Sequence, residues 1–202
     1  MKRLLTIITA FALIGLTACS GSDSATTESG VETFESLSAS ESGVDPLANV
    51  KSFEVAPVSH HPFDDLPLTY AQNPPVGGDH LIAPFWQNCG FYDKPVRDET
   101  AVHSMEHGAV WVTYLPTLPA DQIAVLEAAV IGHPYLLVSP RQNLPTPVVA
   151  SAWGKQLTLA AADDPGLTAF IDAFENGPQT PEPGSPCSGG LDITADEPPP
   201  VG

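Results

Sequence analysis

The sequence predicts an α+β fold: a small single domain with a short, mostly antiparallel sheet, two to three helices, and long loops rich in proline and glycine. Three observations lead to this fold class. The chain has 202 residues, which allows one ordinary domain with tails. It contains 22 prolines and 16 glycines, which indicates much turn and irregular loop. Its hydrophobic residues, 43% of the total, are enough for a core and fall in short segments that alternate between strand-like and helix-like patterns.

The predicted helices and strands follow one another in the second half of the chain. In chain order they are a helix at residues 98–107, a strand at 109–115, a helix at 120–131, strands at 135–139, 147–152 and 156–159, and a helix at 167–174. Asp98 is the expected N-terminal cap of the first helix, and Gly108 is expected to end it. Gly177 is expected to end the last helix.

The stretch from residue 60 to residue 89 shows no sustained hydrophobic period and is rich in proline and glycine. We therefore expect a long loop there. A structureless run of this length inside a small domain is usually functional, so the loop is a candidate for part of the site.

The N-terminal sequence predicts a targeting signal rather than a folded element. Lys2 and Arg3 precede an apolar run at residues 4–16, which is too short to span a bilayer comfortably but suits a signal peptide. The run ends in Leu16-Thr17-Ala18-Cys19, which resembles the bacterial lipobox. Cys19 would then carry the lipid, with palmitate as an expected acyl group, and anchor the mature protein to a membrane outside the cytoplasm. The alternative is an ordinary signal peptide followed by a chance cysteine.

Composition divides the chain into four parts. We expect a lipoprotein signal peptide at residues 1–18, a disordered tether rich in serine and glutamate at 19–50, a globular domain at 51–190, and a disordered, acidic, proline-rich tail at 191–202. The tether would hold the domain away from the membrane surface.

The charge excludes one class of function. Aspartate and glutamate number 24 against 7 lysines and arginines, which gives a net charge of −17. A protein this acidic repels the phosphate backbone, so we expect no nucleic-acid partner. An anionic membrane surface repels it as well, and membrane association therefore depends on the lipid on Cys19.

Two cysteines remain for the folded domain. Cys89 and Cys187 form an even pair in an oxidising compartment, for which a disulfide is the default. The bond would hold the end of the chain against the proline-rich stretch. The alternative, a pair of thiolate metal ligands, lacks the CxxC spacing typical of such sites.

The histidines are the candidate metal ligands. His103 and His107 are four residues apart, so both imidazoles lie on one face of a helix or of a strand. His80 ends a shaped turn of two prolines and two glycines, which would fix its direction. Three neutral imidazoles suit copper or zinc, and His61 or His60 would complete the site.

Glu106 is expected in the second coordination shell, where its carboxylate would orient an imidazole N–H. His-x-x-Glu-His is also the inverted zinc-peptidase motif, but Gly108 ends the segment at once and the long helix that a peptidase needs is missing. The other alternative is that the histidines are structural, hydrogen-bonded residues, which is the expectation for His133 in a turn before Pro134.

Several motifs together resemble a known bacterial family, domain of unknown function 3105. The motifs are Asn73-Pro74-Pro75-Val76-Gly77-Gly78-Asp79-His80, Trp86-Gln87-Asn88-Cys89-Gly90-Phe91-Tyr92, Pro95-Val96, His103-Ser104-Met105-Glu106-His107-Gly108, Ser151-Ala152-Trp153-Gly154, and Pro181-Glu182-Pro183 followed by Cys187. Met105 stands where the family usually has leucine, and its sulfur slightly favours copper. The resemblance implies a domain over about residues 60–190 and an extracytoplasmic setting, and it supplies no reaction.

The sequence thus favours a lipid-anchored, extracytoplasmic protein that binds copper or zinc through histidines and serves metal acquisition, delivery or sensing. Two alternatives stay open. One is a non-metal interaction module with a protein partner at the cell surface. The other is a small metalloenzyme, either a hydrolase or an oxidase, so the sequence leaves enzymatic activity undecided.

Overall fold

A six-stranded mixed sheet organises the protein. The structure is a computed structural model that describes residue 43 and residues 45–198. The predicted signal peptide, Cys19, most of the predicted tether and the last four residues lie outside the described residues. The sheet has the strand order β1-β8-β7-β5-β6-β4, and β2 and β3 form a separate two-stranded sheet.

The elements have the following bounds. The strands are β1 Lys51–Ser52, β2 His60–His61, β3 His80–Leu81, β4 Gly90–Phe91, β5 Val110–Tyr114, β6 Leu136–Pro140, β7 Val148–Ala152 and β8 Lys155–Leu159. The helices are α1 Asp98–Glu106, α2 Ala120–Ala129 and α3 Pro165–Phe174, and Phe63–Asp65 forms a 3₁₀ turn. The predicted α+β class is confirmed, with three helices and a mostly antiparallel main sheet.

Strand pairing explains why the central strands are apolar on both faces. Strand β5 pairs in parallel with β6 and antiparallel with β7, and β7 and β8 form an antiparallel hairpin. Every residue of β5, β6 and β7 is buried. A strand that is covered on both faces has no solvent side, so it loses the alternation of polar and apolar residues that marks a half-exposed strand.

Two hydrophobic clusters cover the two faces of this sheet. Val110 and Val112 of β5 belong to one cluster, which also contains Leu126 of α2 and Phe170 of α3. Trp111, which lies between those two valines, belongs to the other cluster, with Ala101, Val102 and Met105 of α1. Successive side chains of a strand point to opposite faces, so α1 packs on the face opposite α2 and α3.

Helix α1 begins differently from the sequence prediction. Its N-cap residue is Arg97, whose side chain makes no capping hydrogen bond within the described part of the chain. Asp98 is instead the first residue of the helix, and its carboxylate forms a two-pronged ion pair with Arg141, just after β6. A guanidinium can satisfy both oxygens of a carboxylate at once, which a single backbone N–H at a helix start cannot do.

The end of the chain is held against the stretch that precedes α1. A Cys89–Cys187 disulfide joins the two segments, with 5.4 Å between the Cα atoms, so the predicted pairing is confirmed. Farther on, the Leu191 N–H donates to the Trp86 carbonyl at 2.7 Å, and the Ala195 N–H donates to the Pro95 carbonyl at 2.7 Å. Leu191 and Ala195 belong to the segment at residues 191–202 for which a disordered tail was expected, and these two hydrogen bonds connect them to the domain.

The structure also bears on membrane crossing. Among the residues that it describes, no helix has the length and apolar character needed to cross a bilayer.

Candidate metal centre

Four imidazoles lie side by side at one end of α1. The ring centroids of His60 and His80 are 4.6 Å apart, those of His80 and His103 are 4.9 Å apart, and those of His103 and His107 are 4.7 Å apart. We call this set the histidine row. Such a succession of imidazoles is the central feature of the candidate site.

Local structure explains how the row assembles. His103 lies on α1 and His107 is its C-cap residue, so the predicted four-residue spacing places the two rings one helical turn apart. His60 and His80 belong to β2 and β3, and the parallel pairing of these short strands sets the two residues opposite each other. The long proline- and glycine-rich loop therefore carries half of the row, as expected of a functional stretch.

His80 has a fixed tautomer. Its side chain is fully buried, and its Nδ1–H donates to the Gly78 carbonyl oxygen at 2.8 Å. The other ring nitrogen, Nε2, lies 2.9 Å from Oε2 of Glu106. Because the Gly78 carbonyl only accepts, Nδ1 must hold a proton, and a neutral His80 then presents the lone pair of Nε2 to the carboxylate.

A proton or a metal ion must therefore lie between Nε2 of His80 and Oε2 of Glu106. One solution is a second proton on the ring, which makes a buried imidazolium paired with the carboxylate. The other is a cation shared by the two atoms. A histidine that binds a metal through one ring nitrogen commonly donates the N–H of its other ring nitrogen to a backbone carbonyl or a carboxylate. His80 makes this second contact with the Gly78 carbonyl.

His60 completes a set of three ligand atoms. Its Nε2 is 3.6 Å from Oε2 of Glu106, and one ligand atom each from His60, His80 and Glu106 lies within 4.8 Å of the others. Two atoms that share one zinc ion at about 2.0–2.1 Å each lie roughly 3–3.5 Å apart. The three side chains could thus hold a metal ion after only small movements.

The exposure of these ligands is uneven. The His80 side chain is 0% exposed and that of Glu106 is 6% exposed, whereas that of His60 is 42% exposed. The site is therefore buried on the α1 side and open to solvent on the His60 side. Three protein ligands leave at least one coordination position for water or another molecule.

The environment keeps the carboxylate ionised and one imidazole neutral. Burial alone raises the pKa of Glu106, but the contact with His80 and the surrounding histidines outweigh it, so the pKa is lowered overall. Burial, with the neighbouring His80 and His107, lowers the pKa of His103 to about 3. His103 is 3% exposed, and its Nδ1 has no hydrogen-bond partner among the described residues. An unpaired buried nitrogen is costly, so this atom is a candidate for a contact with an ion or a water molecule.

His107 resembles His80 in its surroundings. Its Nδ1–H donates to the Pro186 carbonyl at 2.8 Å, which leaves Nε2 as the ring atom nearest to Glu182, 3.6 Å from its Oε2. The Trp86 ring covers this part of the row, with centroids 5.1 Å from His107 and 5.7 Å from His103. Gly190 allows this cover, because a Cβ there would come within 2.6 Å of the Trp86 indole.

The predicted ligands are thus only partly brought together. His80 lies in the three-atom set, and the other two members are His60, expected only as a possible completing ligand, and Glu106, expected in the second shell. His103 and His107 adjoin the set without belonging to it. Its position between His103 and His107 in the sequence marked Glu106 as a candidate site residue. The spacing alone did not show that the Glu106 carboxylate faces His80.

His61 lies outside the row. Its Nδ1 is 3.1 Å from Oδ2 of Asp65 and its Nε2 is 3.4 Å from Oδ2 of Asp79, so both ring nitrogens already have carboxylate partners. The hydrogen bond with Asp65 raises the pKa of His61, with Asp79 adding to the effect. His133 pairs with Glu175 at 2.6 Å, in line with the structural role expected of it.

Met105 does not single out copper. It is fully buried in the hydrophobic cluster that α1 makes with Trp111 and Leu137. Packing alone accounts for its position, because a flexible thioether fills irregular core space well.

Comparison with known proteins gives a family and no reaction. The family model described as "Protein of unknown function (DUF3105)" matches residues 61–189, more than half of the chain. The match includes every member of the histidine row except His60. No curated protein and no solved structure matches the sequence.

Proposed function

The chain belongs to the DUF3105 family of proteins of unknown function, and from the site itself we propose that it binds a zinc or copper ion outside the cytoplasm. The ligands are His60, His80 and Glu106. The expected roles are metal acquisition, delivery or sensing.

The observation that carries this proposal is the state of His80. Its Nδ1–H is committed to the Gly78 carbonyl, and its Nε2 faces the Glu106 carboxylate at 2.9 Å. A shared divalent cation satisfies both atoms without a second proton on a fully buried ring. Burial of a charged imidazole is costly even beside a carboxylate, because each ion gives up its hydration.

The donor set favours zinc and divalent copper. Two imidazole nitrogens and one carboxylate oxygen are borderline and hard donors, whereas monovalent copper prefers the sulfur of cysteine or methionine. Cys89 and Cys187 are joined in a disulfide and Met105 is buried in the core. Zinc is therefore the first probe, and divalent copper is the second.

The overall charge supports a cationic ligand. The chain carries a net charge of −17, so its field raises the local concentration of cations and speeds their association. The solvent-exposed His60 offers a place of entry to the buried His80 and Glu106.

The location is proposed from the N-terminal sequence. A signal peptide that ends at Cys19 would leave the domain attached by lipid outside the cytoplasm, where a metal-binding protein meets ions before they enter the cell. The Cys89–Cys187 disulfide supports an oxidising compartment. In a delivery role, a cell-surface protein would be the partner that receives the ion.

The test is a zinc titration of the full-length chain. Zinc is removed with a chelator, the chain is titrated against a chromophoric chelator that competes for zinc, and the measurement is repeated with divalent copper. Glu106→Gln removes the negative ligand and keeps the side-chain size, so we expect a loss of at least 100-fold in affinity. His133→Gln is the matched control, because His133 also contacts a glutamate but lies outside the row.

Absorption of the cobalt-substituted chain adds a direct view of the ligands. A site with nitrogen and oxygen donors in near-tetrahedral geometry gives visible d–d bands, which Glu106→Gln should abolish. If neither zinc nor copper binds, the His80–Glu106 contact is an ion pair and the metal proposal is wrong. The histidines would then be structural, and a cell-surface interaction module would become the better reading.

The anchoring proposal has its own test. Replacing Cys19 with serine should release the protein from the membrane fraction, because the serine cannot accept the lipid thioether. Continued membrane association of Cys19→Ser would contradict lipid anchoring at this residue.

A further inference from the structure

The His107 end of the histidine row has an arrangement similar to the one at His80. His107 donates its Nδ1–H to a backbone carbonyl, that of Pro186, and directs Nε2 toward a glutamate, Glu182. The distance from Nε2 to Oε2 of Glu182 is 3.6 Å, the same as that from His60 Nε2 to Oε2 of Glu106. A ring nitrogen and a carboxylate oxygen again face each other.

The segment that carries Glu182 is held in place. The Glu182 N–H donates to the Glu106 carbonyl at 3.1 Å, which fixes it to the last turn of α1. The Ser185 hydroxyl donates to Oε2 of Glu182 at 3.2 Å. Cys187, in the disulfide, follows the Pro186 carbonyl that orients His107. The carboxylate is thus oriented although its side chain is 51% exposed.

His103 connects the two ends. Its ring centroid is 4.9 Å from that of His80 and 4.7 Å from that of His107. It is 97% buried, and its Nδ1 lacks a hydrogen-bond partner among the described residues. The His103 ring thus lies between the two glutamate–histidine pairs, with one buried and unpartnered nitrogen.

We propose that the chain has a second position for the same divalent cation, at Nε2 of His107 and Oε2 of Glu182, and that the His103 ring separates the two positions. The inference rests on the proposed function, because it extends the same row. Glu182 is half-exposed at one end and His60 at the other, while His80 and His103 are buried between them. A cation could therefore enter at one end of the row and leave at the other, as delivery to a partner requires.

Stoichiometry tests this proposal. The full-length chain is dialysed to equilibrium against buffered zinc alone, and bound zinc is counted by elemental mass spectrometry. We expect two equivalents in the wild-type chain, the second bound more weakly. Glu182→Gln should weaken the second equivalent by tenfold or more and the first by less than twofold. Because Glu182 is exposed, this variant should fold normally. His107→Gln is the second variant, and His133→Gln is again the control.

The outcomes separate the two proposals. Loss of one equivalent in Glu182→Gln and of the other in Glu106→Gln supports two positions. A single equivalent that Glu182→Gln and His107→Gln leave unchanged overturns the second position and preserves the first. A single equivalent lost in both glutamate variants shows one shared site and also overturns the second position. No bound zinc at all overturns both.

Discussion

The two halves of the molecule are held together in different ways. The sheet half comprises β5–β8 with α2 and α3, and the site half comprises residues 60–89, α1 and residues 178–198. The sheet half is stabilised mainly by one apolar cluster, whose members are buried valines, leucines and aromatic residues. The site half has a smaller apolar cluster and many buried polar groups. Apolar packing tolerates substitution of similar volume, whereas a buried polar group depends on its particular partner.

Gln87 shows what holds the site half. Its backbone N–H donates to the Thr100 carbonyl at 3.1 Å, and its side-chain Nε2 donates to the Ile193 carbonyl at 2.9 Å. The Thr100 hydroxyl donates to Oε1 of Gln87 at 3.0 Å, and the Ser104 hydroxyl donates to the backbone carbonyl of Gln87 at 2.6 Å. One fully buried side chain thus connects α1, the loop before it and the end of the chain. Such a network gives a rigid frame for ligands, at the cost of sensitivity to single changes.

The largest expected effect on stability is in the site half. The double variant Cys89→Ser with Cys187→Ser opens a covalent loop whose ends are 98 residues apart. The chain-entropy model gives a loss of about 4–5 kcal/mol in the free energy of unfolding. Urea denaturation followed by tryptophan fluorescence measures it, and the second zinc equivalent should bind more weakly as well, because Cys187 follows the carbonyl that orients His107. A loss under about 1 kcal/mol would mean that the hydrogen bonds alone hold the end of the chain.

A change in the sheet half should separate stability from binding. Phe170 of α3 is fully buried in the apolar cluster, and Phe170→Ala should lower the free energy of unfolding by about 3–5 kcal/mol through lost burial and a cavity. The folded fraction should bind zinc within twofold of the wild type, because the cluster lies on the sheet face opposite α1. A tenfold loss of zinc affinity without denaturant would show that the halves are coupled and would contradict the comparison.

The same division explains what the sequence could predict. The helices of the sheet half follow from apolar periodicity, and its strands follow from short runs of apolar, β-branched and aromatic residues. The predicted bounds differ from the structure by at most two residues. The Cys89–Cys187 pairing follows from counting cysteines in an oxidising compartment. Local pattern suffices for these features because apolar burial imposes a regular spacing.

The site half was predicted less completely, because its elements depend on contacts between distant segments. The two-residue strands β2 and β3 are too short to show a period, and only their pairing sets His60 opposite His80. Nothing in the sequence favoured His60 over its neighbour His61 as the completing ligand. Successive side chains of a strand point to opposite faces, so only one of the two can join the row. Asp98 was expected as a cap from its position at the start of the helix, whereas its actual partner, Arg141, is 43 residues away in the sequence.

Acid should destabilise the site half through His103. The folded-state pKa of His103 is about 3 against an ordinary value of 6.5, so the unfolded chain binds more protons between these values. The stabilisation is therefore complete above pH 6.5 and is lost as the pH falls toward 3. Between pH 8 and pH 5 the free energy of unfolding should drop by about 2 kcal/mol from this group.

The control for the acid effect is His103→Gln, which has no proton to gain. His80, His107 and His60 face His103 and oppose its protonation, whereas Glu106 favours it. Both chains are unfolded in urea with a chelator present, so that bound metal does not contribute. The wild type should lose about 2 kcal/mol more than His103→Gln between pH 8 and pH 5. An equal loss in both chains would mean that His103 is protonated in the folded state.

The smallest expected effect is on the orientation of His80. Gly78 has a φ of +120°, which L side chains rarely adopt, and its carbonyl accepts the His80 Nδ1–H. In Gly78→Ala the nearest atoms to the new Cβ, in Tyr70, are at an ordinary 3.7 Å, so backbone strain rather than a clash is the main change. The strain should move the carbonyl and loosen His80. We expect zinc affinity to fall by about tenfold, the lower end of the usual effect of such outer contacts.

Gly132→Ala is the matched control for that change. Gly132 also has a positive φ, of +88°, and a Cβ there meets no atom of the described residues within 4 Å. It lies between α2 and β6, in the sheet half. Both substitutions should lower the free energy of unfolding by about 1 kcal/mol, but only Gly78→Ala should weaken zinc binding. If the two variants bind zinc equally well, the Gly78 carbonyl does not orient the ligand. The His80–Glu106 contact would then hold the ring by itself, and the tautomer would follow from the bound ion rather than from the loop.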